Sequence, residues 1–179
     1  MRRVGLLLAT AALAGCGGGS KPVPTTPAAP DPAAAMRALI SQQPSLAGIV
    51  RTLAQGSSWS IVESISSGSA HAVAFRLVKG AWVADQSGRV KIEILGPAPE
   101  AHAPILPQIA IEFKSTKPFT QSALWIDGTE LQEKGGGSPT EGTIYGAPAH
   151  DLKPGPHVAV GFASTATAGT AVAWIFSAG

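Results

Sequence analysis

Four histidines, eleven carboxylates and one cysteine are the main side chains this 179-residue sequence offers for proton transfer, metal binding or nucleophilic attack. The stretch LKPGPHVAV, Leu152–Val160, sets His157 just after a Pro-Gly-Pro turn and directly ahead of alternating apolar residues. An imidazole there could be a base, a ligand or a turn contact. His150, Asp151 and His157 have the right chemistry for a metal site, since imidazole and carboxylate are competent ligands. Asp151 adjoins His150 and points differently, however, and the sequence offers no evident fourth ligand. His157 is therefore read as structural, its ring directed at a carbonyl of the preceding loop, and no metal ligand or cofactor is assigned. No catalytic constellation stands out either. SSGSA places glycine near serine without forming a Gly-x-Ser-x-Gly elbow. There is no glycine-rich phosphate loop ahead of a basic residue, and the carboxylates are scattered. Glu63 interrupts an apolar strand face and reads as an edge position facing water. A non-enzymatic role follows, and the candidate ligand contacts become aromatic: Trp82 beside a Lys-Gly turn, Trp125 opposite in parity to Leu124 and Ile126, and Tyr145 between Ile144 and Gly146. Trp174 shares a face with Val172 and Phe176 and belongs to the core.

The cysteine has a different use. Arg2 and Arg3 open the chain, VGLLLATAALA is an apolar run too short to span a bilayer, and LAGC ends it at Cys16. This closely resembles the lipobox of bacterial lipoproteins. The resemblance implies that residues 1–15 are a signal peptide, that Cys16 is acylated as the mature N-terminus, and that the protein is held in the cell membrane facing outside the cytoplasm. A sole cysteine also excludes an intrachain disulfide. Cleavage changes the charge balance. The whole chain carries 13 Lys plus Arg and 11 Asp plus Glu, and losing Arg2 and Arg3 leaves 11 of each. A formally neutral body with no basic stripe argues against nucleic acid as a partner and leaves membrane attachment to the lipid on Cys16.

GGGSKPVPTTPAAPD follows, flexible at its glycines and extended at its prolines, so residues 16–31 read as a semi-stiff tether. A small α+β module is expected over residues 32–96. Asp31 can cap a helix that starts at Pro32, with Met36, Leu39 and Ile40 on one face. A second helix is expected in SLAGIVRTLAQG, from Leu46, Ile49, Val50 and Leu53, stopping at Gly56. After Gly56 the period becomes two: WSIVESI, HAVAFRLVKG and GRVKIEIL alternate as half-buried strands of an antiparallel meander.

GPAPEAHAP, residues 96–104, is the expected boundary, and residues 101–179 read as strands only. LPQIAIEF, a hairpin around Asp127-Gly128, HVAVGFAST and GTAVAWIF have the spacing of a β-sandwich. DLKPGPHVAVGFASTATAGTAVAWIF resembles the C-terminal end of bacterial immunoglobulin-like and fibronectin type III-like domains, where Leu-x-Pro-Gly precedes the penultimate strand and Trp-x-Phe lies in the last. The resemblance implies that Leu152 plugs the core at the turn. It departs at Val158, where fibronectin-type domains place a tyrosine; His157 can supply a substitute polar contact.

The fold class is thus mainly β, a C-terminal immunoglobulin-like β-sandwich preceded by a helix-plus-meander module. The function expected is that of a membrane-anchored binding or interaction module in the cell envelope, its partner an envelope protein or polysaccharide. QEKGGGSPTEGTIYGAPAHD, a long connection with three glycines, is the expected place for binding. The alternatives are a carbohydrate-binding lipoprotein using Trp59, Trp82, Trp125 and Tyr145, and then an envelope hydrolase or metal-handling protein.

Overall fold

The structure, a computed structural model, describes residues 30–179. The expected signal peptide, Cys16 and the expected tether up to residue 29 lie outside the described residues.

The first helix forms as its sequence dictates. Asp31 accepts a hydrogen bond from the Ala33 N–H at 2.9 Å, Pro32 occupies the first turn, and α1 spans Pro32–Gln42 with Met36 fully buried. The expected second helix is absent. Pro44–Leu46 make one 3-10 turn, and Ile49–Gln55 then form strand β1. The β-branched residues Ile49, Val50 and Thr52 lose rotamer freedom in a helix and fit a pleated strand, and tertiary pairing decides the matter.

β1 is the edge of an antiparallel meander with β2 (Trp59–Ser66), β3 (Ser69–Val78) and β4 (Ala81–Ala84). One face of this sheet receives α1, with Met36, Val62, Phe75 and Trp82 packed together. GRVKIEIL, expected as the last strand of the meander, instead becomes β5 (Val90–Gly96) and pairs with β7 (Ile109–Ser115) in another sheet.

Two more sheets make the sandwich. One runs in the order β10 (Lys134–Ser138), β11 (Glu141–Gly146), β7, β5. The other runs β6 (His102–Ala103), β13 (Gly169–Ala178), β12 (Gly155–Thr165), β8 (Phe119–Ile126), β9 (Thr129–Glu130), with β6 parallel to β13 and the rest antiparallel. Lettering β5, β7, β8, β10, β11, β12 and β13 as A, B, C, D, E, F and G gives sheets ABED and CFG, the immunoglobulin arrangement. Antibody domains join B and F by a disulfide. Here Ile111 on β7 fills the space above Gly161 on β12, where a Cβ would lie 2.9 Å from the Ile111 side chain.

The order of layers is helix, meander, CFG sheet, ABED sheet. The CFG sheet is therefore covered on both faces. Ala159, Ala163, Trp174 and Phe176 pack toward the ABED sheet with Ile109, Ile111 and Phe113. Val158, Val160, Phe162 and Trp125 pack toward Trp59, Ile61 and Ala74 of the meander. Alanines at positions 70, 72 and 74 on β3 and at 171 and 173 on β13 let these sheets approach until Cα atoms lie within 8 Å, closer than the roughly 10 Å of ordinary stacked sheets. A buried strand with two covered faces cannot show a single inward set, which is why β12 is buried almost throughout.

Candidate functional site

One end of the sandwich holds a cleft of about 580 Å³ between the β8–β9 hairpin and residues 147–152. Its apolar lining includes Ile126, Leu131 and Leu152; Asp127, Glu130, His150 and Asp151 supply polar groups around it. The hairpin forms because Asp127 and Gly128 both take positive φ, 50° and 83°, which an Asp-Gly pair tolerates in a two-residue turn. A Cβ at Gly128 would fall on the Arg51 guanidinium. The meander thus backs the turn that walls the cleft.

Asp127 is held by three bonds. Its N–H donates to the Val158 carbonyl at 2.8 Å, its Oδ1 accepts from the Val158 N–H at 3.0 Å, and its Oδ2 accepts from His157 Nδ1 at 2.7 Å. His157 Nε2 donates to the Lys153 carbonyl at 2.7 Å. The ring lies 5.9 Å from that of Phe176 and is 9% exposed. Burial opposes the charged ring, but the Asp127 and Lys153 hydrogen bonds outweigh it and raise the His157 pKa above its usual 6.5. The loop-carbonyl contact expected of His157 is present; the Asp127 contact is additional, and the ring is buried among both loops rather than turned away from the core. With both nitrogens donating, the protonated ring has no lone pair free to act as a general base.

Leu152 is half-buried against the sandwich core, its N–H bonded to the Ile105 carbonyl at 2.7 Å, so it is a partial plug. His150 and Asp151 stand in the loop beside it, and no group of three or more His, Cys, Asp or Glu comes within metal-holding reach among the described residues.

The aromatic candidates fare differently. Trp82 is 8% exposed, covered by α1, and its indole N–H donates to the Pro30 carbonyl at 2.8 Å. Trp125 is 2% exposed because the face of β8 that would meet solvent in an isolated sandwich is covered by the meander. Neither is a surface platform. Tyr145 remains half-exposed on β11. The expected loop around the three glycines is a hairpin, β10 against β11, and the cleft is bordered by its two ends, Gln132 and residues 147–151, rather than by the glycines.

Glu63 overturns its edge assignment. β1, formed where a helix was expected, pairs alongside β2, and Glu63 is fully buried with its Oε1 bound by Arg51. Asp127 as partner of His157 was also missed. Its signal was the turn motif itself, since an aspartate needed for φ leaves its carboxylate free to reach a neighbouring strand.

No family model matches the chain, and no curated protein matches it. Among solved structures it is similar to a tandem of titin Ig domains at 6% identity and a TM-score of 0.35, over 68% of this chain. The match spans 62% of that chain's length. The fold assignment rests on the strand order.

Proposed function

We propose that this chain is an extracytoplasmic lipoprotein, anchored through Cys16, that acts as a binding module of the cell envelope and holds its partner in the end cleft. The address rests on LAGC and the Pro-rich spacer that follows it. The binding role is carried by the cleft, whose volume falls within the roughly 300–1,000 Å³ of ligand pockets and whose lining joins apolar residues to several polar groups, of which Asp127 is fixed by its bonds to β12. The partner favoured is a protein segment, because the cleft contains no aromatic platform on which a sugar ring could stack.

One observation supports carbohydrate as a second reading. A smaller cleft of about 320 Å³ lies at the seam between meander and CFG sheet, where Gln55, Gln121 and Glu130 set amide and carboxylate groups suited to sugar hydroxyls over the buried Trp59, Trp125 and Phe162.

Site-specific photo-crosslinking in cells separates the two. A photoreactive residue at Thr129, in the end cleft, is expected to give a discrete protein adduct, and the same residue at Lys91, on an outward-facing strand position, none. Adducts from Gln121 alone would favour the seam. Equal adducts from Thr129 and Lys91, or none at all, would contradict a binding site in either cleft.

A further inference from the structure

We propose that His157 is a proton-dependent clip that couples the two walls of the end cleft, closing it when the ring is protonated and releasing it when the ring is neutral. The proposal concerns regulation of the cleft and so rests on the cleft being the binding site.

The geometry requires two N–H groups on one ring. Lys153 offers a carbonyl oxygen, which can only accept, at 2.7 Å from Nε2. Asp127 offers a carboxylate oxygen at 2.7 Å from Nδ1, and its other oxygen already takes the Val158 N–H. A neutral imidazole has a single N–H, so one of its nitrogens would point a lone pair at an oxygen. Only the imidazolium satisfies both bonds.

Those bonds lead to opposite walls. Asp127 belongs to the β8–β9 turn and lines the cleft, while Lys153 follows directly on the 147–152 wall. No other contact among the side-chain hydrogen bonds of the described residues joins these two segments through one residue.

The groups facing the ring are few. Asp127 is the charge on the turn, the Lys153 carbonyl is the dipole on the loop, and Phe176 from β13 is apolar. Arg51 lies beyond Gly128 on the meander and is engaged by Glu63. The cleft carboxylates Glu130 and Asp151, with His150, lie along the walls. Losing the ring's proton removes one of its two charge-assisted bonds, so the ring no longer links the walls, while Asp127 keeps its two bonds to Val158 and Leu152 its bond to Ile105.

The experiment is hydrogen exchange on the full lipidated chain in detergent between pH 5.5 and 9, with rates corrected for intrinsic base catalysis. The His157 titration is located separately by imidazole ¹⁵N NMR. Corrected exchange over residues 126–131 and 147–153 is expected to rise together by roughly tenfold as pH passes that titration, while β7 stays constant. His157→Gln, which offers one donor and one acceptor, is expected to hold both segments in the fast-exchanging state at every pH, and Asp127→Asn to remove the pH step. Wall exchange that ignores the His157 titration in the wild-type chain, or a pH step that persists in His157→Gln, would overturn the clip. Because no ligand is present, either result leaves the crosslinking test of the cleft intact.

Discussion

Asp85 at the end of the meander accepts the Gly169 N–H at 2.8 Å, at the start of the last strand of the sandwich. Its other oxygen takes the Ser87 N–H at 2.8 Å. The two parts of the chain are thus latched as well as packed. Burial pushes the Asp85 pKa up, but the bonds from Ser87 and Gly169 outweigh it and hold it below the usual 3.8. Its contribution is therefore present above pH 3.8 and lost as pH falls through the lower folded value. Asp85→Ala should destabilise by about 1–2 kcal/mol at pH 7 and by much less near pH 2, measured by urea unfolding at each pH. Equal losses at both would remove the latch.

Phe162 and Ile111 test whether the CFG sheet is covered on both faces, since each lies on a different side of it. Phe162→Ala should cost about 3–5 kcal/mol and Ile111→Ala about 2–5 kcal/mol, in one cooperative transition. A mild effect of Phe162→Ala, or a separate early transition, would mean that the meander is only loosely attached.

Gly161→Leu should cost at least about 1–3 kcal/mol, because even its Cβ meets Ile111. Pairing it with Ile111→Ala should restore part of the loss. No rescue in that double variant would place the crowding elsewhere.

Much of this was legible from periodicity. Asp-Gly between apolar runs marked the β8–β9 hairpin, the alternation in GTAVAWIF put Trp174 and Phe176 in the core, and Asp31-Pro32 marked α1. Three things were hidden. In IVRTLAQ the spacing of apolar residues suits a helix, while the strand is chosen by pairing with β2; the edge reading of Glu63 failed with it. Val90–Gly96 alternates equally well for either sheet, so its pairing with β7 could not be read from parity. The second covered face of the CFG sheet is written in alanines, whose small apolar surface carries little patterning signal, and this concealed the burial of Trp125. For the site, the turn and the histidine were legible from Asp-Gly and Pro-Gly-Pro, but not the Asp127–His157 contact across 30 residues.

Cys16→Ser should abolish labelling with a palmitate analogue and move the protein from the membrane to the soluble fraction. Unchanged membrane retention of the variant would contradict lipid anchoring.

The central claim, that the end cleft is occupied when the protein sits in its envelope, is tested most directly by carbodiimide labelling of carboxylates, read by mass spectrometry in intact cells and on the purified protein. Glu130 and Asp151 line the cleft, while Glu93 and Glu100 are exposed away from it. We expect Glu130 and Asp151 to react several-fold more slowly in cells than after purification, with Glu93 and Glu100 reacting alike in both. Equal reactivity of all four in the two settings would contradict the claim.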